Sequence, residues 1–130
     1  VRKVTMEEAF HEADVVSLHC PLTTDNAGFV NAALLRKANP HLILINTARG
    51  GLIHEADVAE ALRENRLKAY CTDVLATEPP QDDCPLLHAP HCLVTPHIGW
   101  NTKEARRRIL EQMAETIRRY KAGQPFHHVD

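Results

Sequence analysis

The sequence predicts an α/β protein: a parallel sheet of about four to five strands, flanking helices and a long C-terminal helix. Three observations predict it. Short apolar runs alternate with stretches of helical spacing, as βαβ units do. The run Leu42-Ile-Leu-Ile45 has no polar alternation, as expected of a parallel strand covered on both faces. Polar residues then gather just past the apolar runs, where open α/β sheets bind ligands.

The elements follow in order. Residues 2 to 4 read as a short strand. Thr5-Met-Glu-Glu8 has the form of a capping box, in which hydroxyl and carboxylate satisfy the first N–H groups of a helix. Met6, Ala9, Phe10 and Ala13 supply its apolar stripe. Val15, Val16 and Leu18 read as a buried strand ended by His19-Cys20-Pro21, because proline has no N–H for a ladder. A polar loop with Gly28 follows. Asn31 caps a short helix through about Lys37, and Asn39-Pro40 breaks it.

Beyond the strand at 42–45, Asn46 to Gly51 is a loop. A helix from about Glu55 to Glu64 buries Val58, Ala59 and Leu62. Ala69 to Val74 is the next strand, with Asp73 at its end. A proline-rich loop leads to the last strand, Cys92 to Val94. Asn101-Thr-Lys-Glu104 resembles a second capping box. The helix behind it runs to about Tyr120, with a stripe of Ala105, Ile109, Met113, Ile117 and Tyr120 for which a core face is expected. Gly123 and Pro125 stop it.

Bulk properties narrow the function. The chain has 130 residues and a formal charge of −2, which gives no case for a nucleic-acid surface. No run of about 18 apolar residues suggests a membrane span. The first residues lack the apolar core of a signal peptide. The four cysteines have no C-x-x-C spacing and read as reduced thiols of a cytoplasmic protein. The nine histidines form no H-E-x-x-H or other tight pair, and no metal centre is expected.

The candidate chemistry lies at the ends of the apolar runs: His19, Thr47, Arg49, Asp73 and His97. His97 is either a structural histidine or a group that moves protons near neutral pH. Glu78 is either a solvated loop carboxylate or its partner, fixing the imidazole tautomer. Arg49 is either a surface arginine or a bidentate carboxylate ligand, with Gly50-Gly51 allowing a ligand close to the backbone. Asp73 is a strand-end cap or a contact to a polar cofactor group.

Three stretches carry a resemblance. Residues 44–53 (LINTARGGLI), 72–80 (TDVLATEPP) and 93–100 (LVTPHIGW) resemble the signatures of the D-isomer-specific 2-hydroxyacid dehydrogenases, and 19–23 (HCPLT) resembles a further loop of that family. The resemblance covers essentially the whole chain. It is closest to the glycerate dehydrogenase (hydroxypyruvate reductase) branch.

It implies a partial Rossmann-like sheet. It implies that Arg49 binds the substrate carboxylate and carbonyl, that His97 is the general acid in reduction and base in oxidation, and that Glu78 pairs with His97. It implies contacts to NAD, or NADP, from Cys20, Pro21, Thr47, Ala48, Arg49, Asp73, His97, Gly99 and Trp100, and a small 2-hydroxy or 2-oxo acid as substrate. A 3-phosphoglycerate dehydrogenase, a non-catalytic dinucleotide-sensing module of co-repressor type and a fragment with a purely structural role are the alternatives.

Two departures qualify the resemblance. His54 stands where the family often has an Asp helix cap, at a cost of roughly 1 kcal/mol. No G-x-G-x-x-G is present. Residues 1–130 are therefore expected to be the C-terminal part of a dinucleotide-binding domain, without the glycine-rich loop or a substrate domain. Alone, the chain is expected to be inactive and to bind dinucleotide more weakly than about 100 μM. With its first strand split from the rest, it is expected to form a homodimer, to self-associate through an open sheet edge, or to dock residues 1–13 elsewhere.

Overall fold

The computed structural model describes residues 2–124, which form two units, residues 2–97 and residues 98–124. The first unit carries a four-stranded parallel sheet. Its strands are β1 (Val15–Leu18), β2 (Ile43–Asn46), β3 (Ala69–Thr72) and β4 (Cys92–Val94), and their order in the sheet is their order in the chain. Three helices accompany them: α1 (Met6–Glu12), α2 (Ala32–Leu35) and α3 (Glu55–Arg63).

Local sequence explains the helix starts. Thr5 and Glu8 form the expected capping box at α1. Asn31 accepts from the N–H groups of Ala33 and Leu34 at α2. His54 at the start of α3 makes no capping bond, and its Nδ1 instead lies 2.9 Å from Asp57. Asp57 also accepts the Ala32 N–H at 2.7 Å, joining α3 to the open N-terminus of α2.

The core lies on one side of the sheet. Leu18, Leu44 and Tyr70 pack with Leu34 and Leu35 of α2 and with Val58, Ala59 and Leu62 of α3. The other side is apolar but uncovered: Val15 is 52% and Leu93 61% exposed, and Ile43, Ile45 and Cys71 are half-buried. Two expectations are thereby corrected. In this chain the run at 42–45 is buried on one face and half-buried on the other, and Val15 is exposed where the sequence predicts a buried strand. A crossover helix covers only the side on which it returns, and α2 and α3 share one side.

Smaller corrections follow. Residues 2–4 form no strand, since β1 is the edge of the sheet and no further strand lies there for them to pair with. α2 stops at Leu35, short of Lys37, and β3 ends at Thr72 because the Thr72 hydroxyl bonds to Val74 and turns the chain.

The second unit is α4 (Lys103–Lys121). Thr102 is its cap and accepts the Ala105 N–H, so Asn101 and Glu104 do not form the expected box. Within this unit none of its residues is buried. Gly123 at φ 69° follows its end; Pro125 lies outside the described residues. No helix among the described residues is long and apolar enough to cross a membrane.

Candidate active site at the strand ends

β2 runs into a buried asparagine that shapes the loop beyond it. The Asn46 side chain is fully buried. Its amide donates to the Arg49 carbonyl at 3.0 Å, and its oxygen accepts the Ala48 N–H at 3.1 Å. Residues 47–49 are thus tied into a tight turn. The turn forms a cleft of about 270 Å³ with the segment after β1, lined by His19, Cys20, Pro21, Thr47, Ala48 and Arg49. Arg49 itself is exposed, with its guanidinium donating to the Ala48 carbonyl at 2.7 Å.

A Cβ at either glycine of the Gly50-Gly51 pair would meet the chain itself. A side chain at Gly50 would meet the Leu75 carbonyl carbon at 2.0 Å, and one at Gly51 would meet the Leu22 side chain at 2.8 Å. The glycine pair serves the chain's own packing.

β3 ends in a second buried polar residue. The Thr72 hydroxyl donates to the Val74 carbonyl at 2.6 Å, lies 3.0 Å from the Asn46 carbonyl and accepts the Val74 N–H. Asp73 follows and accepts from the Thr95 hydroxyl. Together with Ile45, Thr47, Cys71 and Leu93 they border a recess of about 120 Å³.

His97 lies three residues beyond β4, in a left-handed backbone conformation at φ 53°. For a residue other than glycine this costs roughly 1–2 kcal/mol, and such strain gathers at functional sites. Its Nδ1 is 2.7 Å from Oε2 of Glu78. The other oxygen of Glu78 accepts the Leu75 N–H at 2.8 Å. The His97 hydrogen bond, then that of Leu75, holds the Glu78 carboxyl below its ordinary value. With Glu78 ionised, Nδ1 carries the hydrogen and the tautomer is set. The pair opens on a cavity of about 460 Å³ walled by Leu75, Pro79, Pro80, Leu87, Val94 and Pro96.

These three spaces run side by side across the carboxyl ends of the strands. Thr47 lines the first and the second, and Thr95 the second and the third. The sheet therefore brings the suggested residues into two groups, Cys20 to Arg49 and Glu78 with His97, with Asp73 between them. Gly99 and Trp100 belong to the other unit, where Trp100 is 54% exposed.

Sequence reasoning missed Asn46, Thr72 and Thr95. Asn46 left a signal, a polar residue directly continuing an apolar strand. Among the described residues no three His, Cys, Asp or Glu side chains meet as a metal-binding group. Partial burial pushes the Cys92 thiol up to about 11, away from the range of a reactive thiolate.

Residues 1–99 match the sequence model of the D-isomer specific 2-hydroxyacid dehydrogenase, NAD binding domain. A hydroxypyruvate reductase of Blautia hydrogenotrophica is 37% identical over 129 residues, which are 99% of this chain and 40% of that protein. A glycerate dehydrogenase of Methylorubrum extorquens is 39% identical over 129 residues, 98% of this chain and 41% of that protein. The solved D-lactate dehydrogenase with NAD+ from Lactobacillus jensenii superposes with a TM-score of 0.87 at 28% identity, over 98% of this chain and 42% of that one. The chain thus spans about two-fifths of the length of these relatives.

Proposed function

The chain belongs to the D-isomer specific 2-hydroxyacid dehydrogenase family, and on that premise we propose that residues 1–130 are the C-terminal part of a dinucleotide-binding domain whose Arg49, Glu78 and His97 serve hydride transfer between NAD(P)H and a small 2-oxo acid. One observation carries this reading: a histidine with its Nδ1 on an oriented carboxylate, at strand carboxyl ends that also present an arginine.

Each residue has a physical role. Glu78 engages Nδ1, so proton exchange with the substrate oxygen falls to Nε2 of His97. The ionised Glu78 stabilises the imidazolium that must give that proton in reduction, and His97 takes it back in oxidation. Arg49 binds the substrate carboxylate and polarises the carbonyl. The nicotinamide supplies the hydride at carbon 2 of the acid and accepts it in the reverse direction.

The donor set suits the nicotinamide end of the cofactor. Cys20, Pro21, Thr47, Ala48 and Arg49 line the cleft that would receive it. Asp73 offers a carboxylate to the carboxamide N–H groups, and Gly99 and Trp100 are further proposed contacts. Hydroxypyruvate and glycerate are the proposed substrate pair, on the strength of the two relatives named above. Four free cysteines support a cytoplasmic protein.

The test is NADH oxidation with hydroxypyruvate and glyoxylate, run on the longest polypeptide that carries this chain. His97→Gln is expected to lower turnover by about 10²–10⁴-fold. No turnover on any 2-oxo acid would overturn the reading and favour a dinucleotide-sensing module.

A further inference from the structure

We propose that Glu55 is a positioning residue for the Glu78–His97 pair, holding both ends of the loop that carries Glu78. Glu55 is the first residue of α3 and is half-buried. One carboxylate oxygen accepts the Ala76 N–H at 2.8 Å. The other lies 3.8 Å from the thiol of the buried Cys84, which donates to it. Ala76 and Cys84 lie two residues before and six residues after Glu78. A single carboxylate on a rigid helix therefore bridges the span in which Glu78 sits.

The Ala76 end is the critical one. Leu75 and Ala76 share the peptide bond that packs on Gly50 from below, where no side chain fits. The Leu75 N–H is the donor that orients Glu78 toward His97. Glu55 pins the next N–H along. The same short segment thus meets the loop of Arg49 through Gly50, α3 through Glu55, and His97 through Glu78. Releasing Ala76 frees Leu75 to turn its N–H away from Glu78, and the carboxylate then loses one of its two donors. Glu55 touches neither substrate nor cofactor in this scheme. Its role rests on the reading that Glu78 and His97 form the acid–base pair.

Carbon-13 NMR of the Glu78 carboxyl in the 130-residue chain tests the idea without turnover. In the native chain that carboxyl titrates below the ordinary glutamate value, with His97 and Asp73 as the titratable groups facing it. Glu55→Ala is expected to raise its midpoint, because a donor is lost. Removing a negative charge without moving the loop would lower it further, so the sign separates positioning from simple repulsion.

Glu55→Gln keeps an acceptor for Ala76 and removes the charge, and is expected to leave the midpoint at or slightly below that of the native chain. Glu55→Asp keeps the charge but draws the carboxylate back by one methylene, and is expected to raise it. Should Glu55→Ala not fold, the Asp and Gln variants decide alone. An unchanged or lowered midpoint in every folded Ala or Asp variant would overturn the proposal. Absent turnover in the enzyme assay would overturn the proposed function and leave this titration result standing.

Discussion

Nδ1 of His97 and Oε2 of Glu78 meet at 2.7 Å across 19 residues of chain, one from the end of β4 and one from the loop before it. The contact joins two loops that neighbouring parallel strands bring to the same end of the sheet. It is a surface pair, with side chains 46% and 37% exposed. Its energetic worth is therefore small, and its value lies in orientation.

The pair gives stability a pH signature. His97 and Leu75 depress the folded-state value of Glu78 below that of the unfolded chain. A depressed carboxylate stabilises the fold above its unfolded value, and that contribution is lost as pH falls through the folded one. The stability gap between the native chain and Glu78→Gln is expected to shrink from about pH 5 downward. Urea midpoints at successive pH values measure it. A gap that widens on acidification would contradict the assignment.

Arg49 separates function from stability. Its side chain is exposed and, among the described residues, bonded to the carbonyl of the residue before it. Arg49→Ala is expected to change folding stability by less than about 0.5 kcal/mol. In the same assay that tests His97, it is expected to lower kcat/KM with a 2-oxo acid by about 100-fold or more. Arg49→Lys keeps the charge but not the fork, and recovers little of that loss.

Asn46 behaves in the opposite way. Asn46→Leu leaves the Ala48 N–H and the Arg49 carbonyl without their partner. Each orphaned group costs about 1–3 kcal/mol. Chemical denaturation should show the loss, and hydrogen exchange should show faster opening at Ala48.

The two adjacent glycines are not equivalent. Gly50→Ala would drive a methyl into the Leu75 backbone, which cannot yield. A loss of about 3 kcal/mol or more is expected. Gly51→Ala would meet only the end of the Leu22 side chain, and a cost under about 1 kcal/mol is expected. Thermal unfolding of the two variants side by side checks the contrast.

Tyr70 offers a test of the core. Its ring is fully buried, its hydroxyl lies near Thr72 and Asn46 without a well-formed hydrogen bond among the described residues, and burial pushes the phenol up to about 12. Tyr70→Phe removes an unsatisfied group and is expected to be neutral or to stabilise by up to about 1 kcal/mol. Tyr70→Ala opens a cavity and should cost about 3–5 kcal/mol.

Much of the fold is legible in the sequence because its signals are local. The Thr5–Glu8 box, the Asn31 cap and the apolar runs each declare themselves within a few residues. The bare face of the sheet does not, because Val15 and Ile45 look the same whether or not something lies above them. The catalytic candidates are legible as residues at strand ends, and the motifs pair Glu78 with His97. Their supports are not. Asn46 acts through backbone groups two and three residues on, and Thr72 and Thr95 through backbone groups 26 and 23 residues away, contacts that only the parallel register creates. Nor does the sequence show that Gly50 makes space for Leu75.

The agreement between sheet order and chain order carries a kinetic consequence. Among the described residues each strand pairs only with the strand before or after it in sequence, so the sheet can grow by accretion from β1, each step closing a loop of roughly 20–30 residues rather than one that spans the chain. Along that route Asn46 can shape the Arg49 loop once β2 and β3 are in place. The Glu78–His97 contact has to wait for β4, the last strand to join. A folding intermediate that lacks β4 would carry a formed Arg49 loop but no Glu78–His97 contact.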